Sequence, residues 1–593
     1  MDEVVPVEPN TEQSTRKTVP PKRWPVLLLT LGAILLLGFY SHFRVAGLVS
    51  PDAMDYAQIG RNLLAGHGLT TCILRPLALT DSSNPLAQPD LTHGPLYPFL
   101  LALAFGIAGV KDSVAIAMSG LFYVLTIPAL YALGRRLFSP QLGLFAALIF
   151  LTNNAILDAA ISGTPTTLLL LLATCLFLAL FHAARGARKG ADEATAKVVK
   201  GPFVLAGLLS GLLYLTDPIL VWMLPVLVVA VPLLLPARQP TRQAQAAGCF
   251  MLPLALLALP CMFRFGLMAG NPLLGLRGAE LWMGTKTYPG FLAYRLTPDA
   301  LLVGLNSVKG IGLKVLLSGA GALTSLLHLP AAWVLLFGLP GLFFGFADPA
   351  LGRLRTIVFA CLISVVGGSL FLVYDPAVLM VVFPGLLVFA LHYLLHLVGQ
   401  ARLPQVSRVL VVGLFGLALL SPMAASLVTT SQPATIAQAA VAKSLSDRSR
   451  PDEVVFSDQP WIVAWYADRP SVWIPVNETK MAAIRKQFVS ARWLFLTPQA
   501  QSLSPEWNQA FEALMRWDMD FQATLRNGTA PPASYPIARN QSPITEALEG
   551  FAPVAPMEAG LPSAIVAMVP ASDRPDKVSD RQTSETLKHK QSH

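Results

Sequence analysis

Residues 51–68 read PDAMDYAQIGRNLLAGHG, and the rest of the chain is arranged around this polar stretch. It follows the first long apolar segment, so its two acids, Asp52 and Asp55, stand just beyond an expected membrane surface. Behind them Tyr56, Ile59 and Leu63 recur at helical spacing. That pattern predicts a short helix lying at the bilayer with its acids on the polar side. A juxtamembrane helix whose acids are merely solvated has the same pattern, and the residues by themselves leave both readings open.

Lipid is the main solvent of this chain. Of its 593 residues 54% are hydrophobic and only 13% charged, about half the charged share of a soluble domain. The mean hydropathy is +0.57. The net charge of +9 does not imply a nucleic-acid partner. Much of the Lys and Arg falls in short clusters between apolar runs, which encodes orientation in a bilayer. The five cysteines form no CxxC pair, which argues against a disulfide framework and a thiolate metal site.

Arg16, Lys17, Lys22 and Arg23 precede Trp24–Phe43, which is too long for a signal-peptide core and reads as a retained first span. Positive charge on the inner side then puts residues 1–23 in the cytoplasm and the loop 44–112 outside. His93–Val110 is apolar but short and is read as dipping into the outer interface. That choice leaves Arg135 and Arg136 inside, with the later pairs Arg238 and Arg242, Arg353 and Arg355, and Arg402 and Arg408 on the same side. The reading yields a mostly α, polytopic domain over 24–429 with about eleven transmembrane helices and a second outside loop at 264–330. Beyond it, Glu453–Ser457, Ser471–Val476 and Trp493–Thr497 are strand-like, with helical PWIVAWYA and TKMAAIRKQF between them. This predicts a small extracytoplasmic α/β domain over 430–572 with a parallel sheet, lacking a Gly-rich phosphate loop. Residues 573–593 read as a disordered tail.

The order of these pieces carries a resemblance. One span, the loop with DAMDYAQIGRNLLAGHG, then HGPLYPFLLAL, then GRRLFSPQLGLFAALIFLTNNAILDAAISG resembles the type C (GT-C) glycosyltransferases. These membrane enzymes use polyprenyl-phosphate-linked sugars; protein O-mannosyltransferases and the aminoarabinose transferase acting on lipid A are examples. The resemblance is clearest over residues 20–290. It implies a bacterial inner-membrane protein with its C-terminal domain periplasmic, moving a sugar to a lipid, glycan or protein acceptor. The family pattern of an acid, a Tyr four residues later, an apolar–small pair and Arg-Asn matches Asp52, Tyr56, Ile59-Gly60 and Arg61-Asn62. Asp52 is therefore the implied catalytic acid and Asp55 the runner-up. Gly94-Pro95-Leu96 stands for the family's Pro-Pro-Leu, with His93 beside a metal- or phosphate-contacting position. Arg264, His93 and Arg61 are the implied donor-phosphate ligands.

Two departures accompany it. The family's second acid is expected where this chain has Thr164, Thr166 and Thr167, and Asp158 lies a few residues early. A divalent metal ion is thus a candidate cofactor without a readable ligand set. Pro376–Gly385 also lacks the Arg-Tyr that members commonly carry before a similar Pro.

The chemistry can be argued separately from the family. Moving a sugar off a lipid phosphate needs a base for the acceptor hydroxyl and cations for the departing phosphate. Because the phosphate leaves readily, one carboxylate in an inverting single displacement suffices, unlike the paired carboxylates of hydrolytic glycosidases. Cations flanking apolar runs also simply reach for headgroups. Two other classes compete: a catalytically inactive scaffold, motivated by the altered second acid, and a transporter, which should show midplane charge and two corresponding halves. Neither feature of a transporter is found in the sequence.

Overall fold

A computed structural model describes residues 24–512 apart from 80–83, 87, 190–199, 236–239, 283–307, 329–331, 373–378, 401–403, 429–433, 476–477, 489, 503–506 and 510, together with 552–553 and 565–568. The N-terminal segment 1–23 and the tail 573–593 lie outside the described residues.

Helix α1, Trp24–Arg44, is apolar on nearly every face. After a short turn, α2, Pro51–Leu64, begins with Pro51 in its first turn and carries Asp52 there, where a carboxylate complements the helix dipole. Helix α3, Leu96–Ala108, has 13 residues and a length of about 20 Å, too short to cross a bilayer. It packs along α2. Helix α4, Asp112–Leu137, is long enough to cross at about 39 Å. Helices α5, Pro140–Thr152, and α6, Asn154–Ala160, meet at a 65° bend. The bend is explained by Asn153, whose side chain accepts from Ile156 N and starts a new helix. Then come α7, Thr166–Lys189, α8, Lys200–Thr216, α9, Met223–Ala230, and α10, Pro240–Ala269. Helices α8 and α10 approach so closely that a Cβ on Gly207 would sit 2.0 Å from Phe250 O.

Among the described residues six helices are long and apolar enough to cross a membrane, or seven if α5 and α6 form one broken span. The expectation of about eleven reaches that number by counting shorter apolar segments such as Pro218–Ala230 and Lys200–Thr216. The two ends of the helical bundle are distinct. At one, Arg185 pairs with Asp348 at 3.5 Å, Arg353 bonds Leu234 O, and Phe138 stacks on His392. The turns that carry Arg185, Arg353 and Phe138 thus share one face. At the other end, Asp112 at the start of α4 meets the C-terminal domain.

That domain departs from the expectation in two ways. Its six-stranded sheet has the order β2-β5-β4-β6-β8-β7, built from β2 (Ile73–Leu74), β4 (Val454–Ser457), β5 (Ser471–Trp473), β6 (Ala491–Leu496), β7 (Ala552–Pro553) and β8 (Ile565–Met568). The first four strands are parallel, but β8 runs antiparallel to β6 and to β7, so the sheet is mixed rather than parallel. Strand β2 comes from the first loop, 398 positions before its partner β5, Ile73 standing opposite Ser471. The loop and the C-terminal domain are one folded unit on one face of the bundle. A two-strand ribbon, β1 (Thr70–Thr71) against β3 (Gln88–Pro89), closes the loop beneath α2.

Candidate active site

The two acids of α2 have different surroundings. Asp52 is exposed at the helix start. Asp55, one turn on, is 5% exposed. It pairs with Arg75 and accepts from Gln58 Nε2 at 2.9 Å. Gln58, itself fully buried, also bonds Thr71 Oγ1 and Cys72 N. Asp55 is thereby committed to fastening the loop beneath the helix.

His93 joins this network from the other side. Its Nε2 is 3.7 Å from Asp55 and its Nδ1 3.3 Å from Asp90. Asp90 also accepts from Thr92 N and His93 N, which closes the turn before α3. The ring of Tyr56 lies 4.4 Å from that of His93, and Tyr97 packs edge-on against Tyr56. Burial disfavours charge on His93, but the Asp55 and Asp90 carboxylates outweigh it and raise the imidazole above its ordinary value. Burial likewise opposes the Asp90 carboxylate, and His93, Arg75 and Arg264 overcome it, holding Asp90 below the usual range. Gly94 lets the turn press against α8, since a Cβ there would meet Leu215 O at 2.2 Å.

The cations divide by what they already hold. Arg75 is taken by Asp55. Arg61 is taken by the C-terminal domain: it pairs with Asp468 at 2.7 Å and donates to Ala464 O and Trp465 O. Its guanidinium is therefore directed away from the role that the resemblance implied for it. Arg264, near the end of α10, donates one hydrogen bond, to Leu69 O at 3.1 Å, among the described residues. Leu69 O also accepts from Asp90 N, which puts Arg264 at the edge of the His93 turn. Further out, Arg277 pairs with Asp217 and Glu280. Beside His93, the Thr92 hydroxyl is buried without a hydrogen-bond partner among the described residues.

Asp158 belongs to a different group. It accepts from Tyr40 Oη at 2.7 Å and from Asn154, with Arg44 at 3.7 Å. The turn that follows it carries a run of hydroxyls, Ser162 to Thr164 at 2.7 Å and Thr164 to Thr166 at 3.2 Å. This turn does border α2, for a Cβ on Gly163 would lie 3.5 Å from that of Ala53. Hydroxyls are weak donors to a hard divalent ion, which prefers carboxylates. No three His, Cys, Asp or Glu side chains among the described residues gather so as to hold a metal. Among the described residues, Asp158 and the hydroxyls after it do not by themselves make a metal site.

With this arrangement in view, the likeness to solved structures has a definite meaning. Archaeoglobus fulgidus oligosaccharyltransferase in the apo form superposes with a TM-score of 0.53 at 14% identity, covering 81% of this chain and 70% of its own. ArnT from Cupriavidus metallidurans bound to undecaprenyl phosphate gives 0.52 at 13%, covering 93% of this chain and 99% of its own. The fold is that of a type C glycosyltransferase. The family model for dolichyl-phosphate-mannose-protein mannosyltransferase matches residues 92–262, from the His93 turn to the end of α10. No curated protein sequence matches the chain. A further type C structure, the archaeal oligosaccharyltransferase AglB from Archaeoglobus fulgidus, is in complex with an inhibitory peptide and a dolichol-phosphate, with a TM-score of 0.51 at 15% identity and coverage of 81% and 70%. The Archaeoglobus fulgidus oligosaccharyltransferase whose apo form is compared above has also been crystallised with Zn and sulfate.

Sequence reading missed Arg75, Asp90 and Gln58. Arg75 had a signal: it is the one Lys or Arg between residues 62 and 110 and sits inside apolar ILRPLAL, where a lone cation needs a buried partner.

Proposed function

We propose that this protein moves a sugar from a polyprenyl-phosphate donor to an acceptor hydroxyl at the outer face of the membrane, with Asp52 as the base. The observation that carries the reading is the contrast between the acids of α2. Asp55 is buried and bound to Arg75 and Gln58, whereas Asp52 is exposed where substrate can reach it. As the acceptor oxygen bonds the anomeric carbon, its proton passes to Asp52. The bond from that carbon to the phosphate oxygen breaks on the opposite side, so the configuration inverts and polyprenyl phosphate departs. Charge grows on that phosphate as it leaves, and Arg264 is the cation with N–H groups to spend on it. Thr92 and His93 lie on the same turn and offer a hydroxyl and an imidazole whose charged form the Asp55 and Asp90 carboxylates favour.

What supports the donor class is the type C fold together with neighbours whose structures hold undecaprenyl phosphate or dolichol-phosphate. Full-length protein in lipid nanodiscs, incubated with a panel of undecaprenyl-phosphate sugars and candidate acceptors, tests it by mass spectrometry. Release of undecaprenyl phosphate should fall about 10²–10⁴-fold in Asp52→Asn. Activity that survives the substitution removes Asp52 from the mechanism. No turnover of any donor by the wild type moves the reading to an inactive scaffold or a transporter.

A further inference from the structure

Residues 463–473 of the C-terminal domain touch the first loop on both sides of α2. The segment starts as a single π-helical turn, Val463–Ala467, and ends in Asp468 with φ of 53°. Asp468 is the one non-glycine residue with positive φ among the described residues. A π-turn and a left-handed non-glycine residue both cost energy and persist where surrounding contacts hold them. Within the domain, helix Ala434–Arg448 packs on the turn and Arg469 donates to Ala467 O and Asp468 O; the contacts outside it are to α2 and its neighbours. Arg61 pairs with Asp468, bonds Ala464 O and Trp465 O, and lies 5.3 Å from the centre of the Trp465 ring. Trp465 Nε1 donates to Asp112 at 2.7 Å, and its ring stacks near Phe105 of α3. Tyr466 Oη bonds the same Asp112, which also accepts from Leu48 N, three residues before α2 begins. Just beyond the turn, Ser471 N donates to Cys72 O, where β5 takes β2 into its sheet.

Helix α2 is therefore gripped at both ends by one short piece of the C-terminal domain. We propose that the turn 463–468 is a clamp that sets the position of α2, with Arg61 and Asp112 as positioning residues that aim Asp52. The proposal rests on the reading of Asp52 as base. Its consequence is that the C-terminal domain is part of the catalytic centre and does not act as a separate acceptor-binding appendage. Displacing a reacting group by about 1 Å can cost on the order of 10²-fold in rate. Loss of the clamp should therefore act on turnover and leave the donor phosphate contacts at Arg264 in place.

Full-length wild type, Arg61→Met, Arg61→Lys and Asp468→Asn in nanodiscs provide the test. Asp468 is largely exposed, so its substitution keeps the fold where Arg61→Met could fail to assemble. Two quantities are read: kcat and KM for an undecaprenyl-phosphate sugar, and amide hydrogen exchange across residues 45–64. Arg61→Met should lower kcat about 10- to 100-fold with donor KM within about twofold, and should speed exchange in α2. Asp468→Asn should do the same to a smaller degree, and Arg61→Lys should restore part of kcat. Unchanged exchange in α2 in both Arg61→Met and Asp468→Asn overturns the clamp, as does a kcat equal to wild type. Should the wild type itself turn over no donor, the transferase reading fails, and hydrogen exchange alone then decides whether the clamp exists.

Discussion

At the scale of single residues, burial decides which ionisable groups are structural. Asp55 and Arg75 are both about 95% buried and paired with each other. Removing one member of such a pair strands the other charge, at a cost of about 3–5 kcal/mol, while replacing both with apolar groups is often nearly neutral. Arg75→Met should accordingly lower the thermal midpoint sharply, and the double variant Asp55→Leu, Arg75→Met should recover most of it. A double variant as unstable as the single one would show that the pair is not the main partner of either side chain. His93 makes the fold sensitive to pH. Its folded-state pKa is raised, so its contribution is fully present below the ordinary value of about 6.5 and is lost as pH rises through the raised value. The midpoint should therefore fall as pH climbs from about 6.5. In His93→Gln that alkaline slope should be absent, with the midpoint below wild type at low pH and the two converging as pH rises. Asp90, held low, acts in the opposite direction: its contribution is present above the ordinary carboxylate range and lost as pH falls through the depressed value.

The turn between β3 and α3 is where element-scale packing matters most. Gly94 has backbone oxygens of Leu215 and Thr216 within 2.8 Å of where its Cβ would be, and backbone cannot step aside as a side chain can. Gly94→Ala should cost about 1–3 kcal/mol and displace His93 from Asp55. Gly106, in the last turn of α3, meets only the end of Leu64 at 3.4 Å. Gly106→Ala should be neutral or slightly stabilising, since alanine is the better helix former by about 1 kcal/mol. Melting curves of the two variants distinguish these outcomes. Equal losses would mean that the His93 turn yields more easily than its backbone contacts imply. Helix α3 itself illustrates how a short apolar segment is used: it packs along α2.

For the whole molecule, the pairing of β2 with β5 requires the first loop and the C-terminal domain to share one face of the bundle. The cluster of Arg185, Asp348, Phe138 and His392 marks the other face. In a cysteine-free background, single cysteines at His67 and Gln509 should both react with a membrane-impermeant thiol reagent from the same side of sealed vesicles. A cysteine at Gln400 should react only from the opposite side. Opposite labelling of the first two would break the sheet and, with it, the clamp on α2.

The sequence by itself determined what depends on nearest neighbours and on composition. Low charge and long apolar runs put the chain in lipid, and the helical spacing behind Asp52 predicted α2. Asp217 followed by Pro218 is a local signal for a turn, and Asp217 caps the turn that follows. The C-terminal strands were legible because β4 and β6 are four to six residues long. A two-residue strand such as β2 has no period to read, and its partner lies hundreds of positions away. The tertiary structure alone decided which acid of α2 is exposed, that Arg61 serves the C-terminal domain, and that Arg75 and Asp90 complete the His93 network. These outcomes follow from which groups folding brings together and removes from water, and no local pattern encodes pairs so far apart.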